Sequence, residues 1–180
     1  MLIIIPISGK AESGKDLTAT LLKIELQKQG KRVLIINYAN YLKFICQKYF
    51  GWNGEKDIQG RELLQKTGTE KVRAKNNNFW VDAVIEFVKV FEGDFDYILI
   101  PDTRFIQEID RWFEEGFEVI TLRIERLNHE NKLTPEQRLH TSETALDNYN
   151  FDYYIKCETK EEKEQEVIKF IEYLNERVGG

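Results

Sequence analysis

Eight consecutive residues near the start of the chain have the spacing of a phosphate-binding loop. Gly9-Lys10-Ala11-Glu12-Ser13-Gly14-Lys15-Asp16 reads G-x-x-x-x-G-K, followed by Asp where Ser or Thr is usual. Two glycines let the backbone curl until several N–H groups point at one anion. A helix that begins there adds the partial positive charge of its N-terminus. Lys15 then reaches the outer phosphates, so all eight residues are expected to hold ATP. Thr18, in the first turns of that helix, can offer its hydroxyl to an inner phosphate or serve as an ordinary helical residue. The carboxylate of Asp16 is a hard oxygen ligand for Mg2+, directly or through water. Negative charge in the first turn of a helix is also favourable by itself.

Other polar residues stand where strands are expected to end. Asp102 can orient water on Mg2+ or accept a hydrogen bond from a substrate, and Arg104 can grip a phosphate with its planar fork. Asn40 and Lys43 follow the second predicted strand. Arg61, Gln65 and Thr69 share a predicted helix, and together with Asn40 and Lys43 they point to an acceptor pocket. Arg123 and Arg126 follow the fourth predicted strand. Arg138 comes after Thr134-Pro135-Glu136-Gln137, a strong helix start with a cap, Pro at the first position and Gln to close a capping box. Arginines on such a small lid would exclude water and neutralise a moving phosphoryl group. His140 and His129 are the only histidines, and neither has a metal-ligand partner, so a zinc site is rejected.

These residues need a frame that brings strand ends together. Apolar runs at 2–7, 32–37, 97–100, 117–122 and 151–155 read as buried strands. Periodic stretches between them read as helices, including 41–50, 61–73 and 79–91. On the last of these Trp80, Val84, Phe87, Val88 and Phe91 are expected on one buried face. Gly30 ends the first helix and Val167, Phe170, Ile171, Leu174 and Val178 form the apolar stripe of the last. Its charged flank, 160–166, is expected to face solvent. The alternation predicts an α/β chain: one domain over 1–180, with a doubly wound five-stranded parallel sheet of P-loop NTPase type. Acceptor-binding helices are expected at about 38–93 and a lid at about 123–145.

The bulk numbers agree with that frame. The 180 residues are 42% hydrophobic and 32% charged, with a net charge of −5. A negative balance argues against direct nucleic-acid binding, which relies on excess Lys and Arg, but not against a small-nucleotide site. No apolar run reaches the roughly 20 residues of a membrane span. The apolar start lacks a basic leader and a cleavage site, so a cytoplasmic location is expected. Cys46 and Cys157 sit in apolar patterns and read as buried free thiols.

With these residues in view, the sequence resembles the deoxynucleoside monophosphate kinases of bacteriophage type, within the nucleoside monophosphate kinase group. The likeness is carried by the phosphate loop, by Arg61-Glu62-Leu63-Leu64-Gln65 with Gly68-Thr69-Glu70, by Phe79-Trp80-Val81, and by Asp102-Thr103-Arg104-Phe105 with Glu108. His140-Thr141-Ser142-Glu143 adds a weaker segment. The resemblance implies a core, acceptor-binding helices and a lid. The implied reaction is transfer of a phosphoryl group from ATP to a deoxynucleoside monophosphate with Mg2+. It adds Trp80, Glu108, His140 and Glu143 to the acceptor set. The expected catalytic group is Lys15, Asp102, Arg104, Arg123, Arg126 and Arg138, with Asp16 and Asp102 near the metal. A dephospho-coenzyme A kinase or other small-molecule kinase, and a module that only binds ATP, are the alternatives. Either a monomer or a homodimer fits the sequence.

Overall fold

A computed structural model describes residues 1–55 and 57–178. In chain order its elements are β1 (Ile3–Ser8), α1 (Lys15–Lys28), β2 (Val33–Ile35), α2 (Ala39–Tyr49), α3 (Ile58–Gln65), a π-helical stretch (Lys66–Arg73), α4 (Phe79–Val90), β3 (Tyr97–Ile100), α5 (Gln107–Glu114), β4 (Glu118–Val119), β5 (Leu122–Arg126), α6 (Pro135–Leu139), α7 (Thr141–Thr144), β6 (Tyr153–Cys157) and α8 (Lys160–Val178).

β1 is buried along its whole length because it lies mid-sheet and is covered on both faces. Successive side chains leave a strand by opposite faces. Ile3, Ile5 and Ile7 therefore join Ala19, Leu22 and Leu26 of α1 and Phe170 and Leu174 of α8. Ile4 joins Trp80, Val81, Val84, Ile85 and Val88 of α4 and Trp112 of α5. All pairings are parallel, in the order β2-β3-β1-β5-β6, with β4 also on β1. The carboxyl ends of the strands, where chemistry collects in such sheets, thus lie along one edge.

The fourth predicted strand is broken. β4 pairs with Ile3 and Ile4, whereas β5 pairs with Ile7 and Ser8, so the two pieces fill one of five positions beside β1. The break follows from Asp152, whose Oδ2 accepts from the Thr121 backbone N–H at 2.8 Å and from its hydroxyl at 2.8 Å. Arg123 and Arg126 consequently lie within β5 rather than after it. The last predicted strand runs two residues later, as β6.

Helical faces also differ in places. Phe87 and Phe91 of the α4 region are exposed, and Val81 and Ile85 take the buried positions instead. The helix expected over 61–73 starts at Ile58, where the Asp57 carboxylate accepts from Gly60 N at 2.7 Å, and widens into the π-helical stretch after Gln65. The capping box at Thr134 and Gln137 is present as expected. Both cysteines are buried and free. In the flank of α8, Lys163 is buried rather than solvated, with 5% of its surface exposed.

Asp152 also holds Arg177 of α8 at 2.8 Å, so one carboxylate joins the strand break to the last helix. Replacing Asp152 with Ala leaves the buried Thr121 N–H without that acceptor. The expected cost is about 1–3 kcal/mol, read as a lower midpoint in urea with an unchanged slope.

Candidate active site

The phosphate loop leaves the end of β1 and turns directly into α1. Gly14, at the N-cap of α1, has φ +86, a conformation open to glycine at little cost. At Gly9 the limit is space, since a Cβ would stand 2.5 Å from the Ile124 carbonyl oxygen of β5. Both glycines are therefore required by the geometry. Glu12 holds a left-handed φ of +63, strain of the kind found at functional loops.

Lys15 Nζ folds back over the loop and donates to the carbonyls of Gly9 at 2.7 Å and Lys10 at 2.9 Å. Burial, and then repulsion from Arg104, lowers its pKa to about 8. Thr18 is fully buried and its hydroxyl donates to the Gly14 carbonyl at 3.1 Å. That supports the loop from below, and Thr18 does not line the cleft described next.

A cleft of about 410 Å³ opens beside the loop. Its walls include Ala11, Glu12, Lys15, Asp16, Lys43, Arg61, Gln65, Thr69, Trp80, Asp102, Arg104, Glu108 and Glu143, which gathers most of the expected site. The π-helical stretch explains one wall. Its i→i+5 bonds give each turn more than four residues, so positions four apart stay nearly aligned. Thr69 and Arg73 thereby continue toward the cleft the line that Arg61 and Gln65 of α3 begin. Trp80 closes the wall, its indole N–H donating to the Gly68 carbonyl at 3.1 Å.

Carboxylates hold the cations of this edge. Glu108 is buried; it pairs with Arg73 and accepts from the backbone N–H groups of Arg104 at 2.6 Å and Phe105 at 3.0 Å. Burial pushes its carboxyl upward, against the pull of Arg73. Arg73 also lies 4.2 Å over the Phe105 ring. Glu143 pairs with Arg104 through one oxygen, and its other oxygen accepts from the Ala11 N–H of the phosphate loop at 3.0 Å. Lys10 donates to the Glu143 carbonyl at 2.6 Å and to Asp147 at 2.5 Å. Asp147 also meets Arg123, whose other nitrogen donates to the Ser8 hydroxyl at 3.0 Å.

Asp102 is deployed differently from the expectation. Its two oxygens accept from the backbone N–H groups of Tyr38 at 3.0 Å and Ala39 at 2.9 Å, capping α2 from the end of β3. Burial raises its pKa. Among the described residues no three His, Cys, Asp or Glu side chains gather as a metal-ligand set.

Five of the expected catalytic and acceptor residues, Asn40, Arg123, Arg126, Arg138 and His140, stand apart from the cleft. Asn40 is exposed on α2, and Asn37 lines the wall in its place. Arg138 turns back to the carbonyls of Leu133 at 3.1 Å and Asn131 at 2.9 Å. His140 caps α7 by accepting from Ser142 N at 3.2 Å. Arg126 lines a second hollow, of about 310 Å³, on the other side of the loop with Lys10, Arg123, His129 and Asn131. Residues missed by sequence reasoning include Asn37, Arg73 and Phe105. The spacing of four from Arg61 through Gln65 and Thr69 was the available signal for Arg73.

No protein-family model matches the chain, and no curated protein matches it in sequence. Solved structures do. The Mycobacterium tuberculosis APS kinase CysC in complex with AMPPNP and APS superposes with a TM-score of 0.50 at 12% identity, covering 94% of this chain and 96% of that one. A mutant of the same enzyme gives a TM-score of 0.49 at 13% identity, again covering 94% and 96%. The likeness shows the fold alone: α/β, with the parallel sheet order 2-3-1-5-6. No helix among the described residues is long and apolar enough to cross a membrane.

Lys15 gives a test of the site's electrostatics. Its pKa falls from 10.5 to about 8 in the folded protein. Between these values the folded state holds fewer protons than the unfolded state, so this group's contribution to stability rises with pH. Urea unfolding from pH 7 to 10 is expected to show the wild type gaining up to about 3 kcal/mol relative to Lys15→Met. A difference independent of pH would contradict the burial described here.

Proposed function

We propose that the chain is an ATP-dependent phosphotransferase whose acceptor is a nucleoside or deoxynucleoside monophosphate. The observation that carries this reading is one cleft in which Lys15 of the phosphate loop faces Arg61, Arg73 and Arg104. A loop of N–H groups suits a triphosphate, and a facing set of arginines suits a second phosphate. An acceptor that already carries a phosphate explains why so many cations line the far wall.

In this reading the loop N–H groups hold the β-phosphate of ATP and Lys15 bridges toward the γ-phosphoryl group. The second hollow, with Arg126, His129 and Asn131, has the place and polarity for the donor's base and sugar. Arg104 and Arg61 hold the acceptor phosphate, while Trp80 and Phe105 offer aromatic surface to its base. Glu143 sits on the Ala11 N–H and on Arg104, the two groups a pair of phosphates would use. It must give way as they enter, and it then frees Arg104 for the acceptor.

No general base is required, since a phosphate oxygen is already anionic at neutral pH. Catalysis then consists of positioning and charge stabilisation. Asp16 is a suitable single oxygen ligand for Mg2+, which usually takes one or two carboxylates plus phosphate oxygens and water. Bound there, Mg2+ would screen the phosphate charges. Asp102 fits a more distant role, because both its oxygens already accept backbone hydrogen bonds. That commitment also disfavours an acceptor hydroxyl, which would need Asp102 as its base.

Two further points support the reading. The APS kinase structure of the same fold is a complex with AMPPNP and APS, which supports a site for a donor and an acceptor here. The resemblance of Arg61-Glu62-Leu63-Leu64-Gln65 and Asp102-Thr103-Arg104-Phe105 to deoxynucleotide kinases selects the acceptor class.

The test is ADP release with ATP, Mg2+ and a panel of deoxynucleoside monophosphates, ribonucleoside monophosphates and dephospho-coenzyme A. At least one deoxynucleoside monophosphate is expected to be turned over. Lys15→Ala is expected to lose roughly 100- to 1,000-fold in kcat, the scale of one preorganised donor. Turnover of dephospho-coenzyme A alone would replace the acceptor assignment, and ATP binding without turnover of any acceptor would overturn the enzyme reading.

A further inference from the structure

Lys163 breaks the pattern of α8. It lies on the same stripe as Val167, Phe170, Ile171 and Leu174, where an apolar side chain belongs, and it is as buried as they are. Its Nζ crosses to the phosphate loop and donates to the Ser13 carbonyl at 2.8 Å. It also stands against Gly14, where an added Cβ would meet it at 2.4 Å. Among the described residues no carboxylate lies within ion-pairing distance of it. Arg126 and Cys157 are the groups whose charge bears on it. A buried ammonium held only by a neutral carbonyl is unfavourable unless an anion arrives nearby.

The peptide plane gives the contact its meaning. In a trans peptide the C=O of one residue and the N–H of the next point in opposite directions. An ammonium that fixes the Ser13 carbonyl on the α8 side therefore turns the Gly14 N–H the other way, away from α8. We propose that Lys163 is a positioning residue of the phosphate loop: it aims the Gly14 N–H at the bound phosphates and stands a positive charge behind them. The proposal rests on the reading of this loop as the ATP site. It adds a second lysine, 150 positions from Ser13 in sequence, to the machinery that holds the donor.

The experiment is calorimetric titration of the full chain with ATP and, separately, with inorganic tripolyphosphate. The proteins are wild type, Lys15→Ala, Lys163→Met and Lys163→Gln, with thermal unfolding of each. Lys163→Met suits the apolar stripe and is expected to unfold no earlier than wild type. It should bind ATP and tripolyphosphate roughly 10- to 100-fold more weakly, the effect of losing one charge-assisted hydrogen bond. Lys163→Gln keeps a donor for Ser13 without the charge and is expected to fall between the two, and it carries the test should the Met variant not fold. The KM for the phosphate acceptor should stay within twofold while that for ATP rises. Variants that bind both ligands as tightly as wild type overturn the role of Lys163 and leave the kinase reading standing. Wild-type protein that binds neither ligand, or binds them equally well after Lys15→Ala, overturns the ATP site itself.

Discussion

A chain of net charge −5 gathers Lys10, Lys15, Arg73, Arg104 and Arg123 along the carboxyl edge of its sheet, and the architecture of that edge follows from keeping these cations apart. Like charges at close range in a partly desolvated cleft repel strongly, and at Lys15 repulsion from Arg104 adds to burial in lowering the pKa. Three carboxylates offset the repulsion. Glu108 of α5 takes Arg73, Glu143 of α7 takes Arg104, and Asp147 takes both Lys10 and Arg123. The position of α7 over the phosphate loop is thus tied to charge neutralisation as well as to packing. Of these five cations Lys15 is the one whose hydrogen bonds all go to carbonyls, a state it shares with Lys163 behind the loop.

The same edge is fixed mechanically by buried polar contacts. Asp102 caps α2 across the gap between β3 and the helical region. Tyr38, at the start of α2, donates its hydroxyl to the Glu108 carbonyl at 2.8 Å and accepts from the Trp112 indole at 2.7 Å. The end of β3, the start of α2 and α5 are therefore linked through two adjacent residues, Tyr38 and Ala39, the Asp102 carboxylate and the Glu108 backbone carbonyl. Under the proposed function, this is what keeps donor and acceptor ends at a constant separation, which phosphoryl transfer by positioning demands.

Much of this was legible in the sequence because it rests on local rules. The loop follows from two glycines and a lysine at set spacing between a strand and a helix, and the capping box at Thr134 follows from four residues. Asp102 and Arg104 followed from their place after a buried strand. The remainder depends on contacts between distant residues. Nothing local to Thr121 reveals that Asp152 will break the strand there. A run of helical periodicity does not distinguish an α-helix from the π-helical stretch that brings Arg73 to the cleft. Lys163 read as solvated because its neighbours are charged, and its burial depends on a carbonyl at the far end of the chain. Arg138 and His140 looked like lid ligands, yet each satisfies backbone groups of its own segment.

Under the proposed function the loop has a hollow on either side, with the donor base on the Arg126 side, the acceptor on the Arg104 side and the phosphates between. A bisubstrate ligand, with adenosine and a deoxynucleoside joined through a run of phosphates, tests it directly by titration. Occupying both sides with one molecule should give a Kd on the order of 100-fold or more below that of ATP, and Arg104→Ala should remove most of the gain. A bisubstrate ligand that binds no more tightly than ATP would contradict the account.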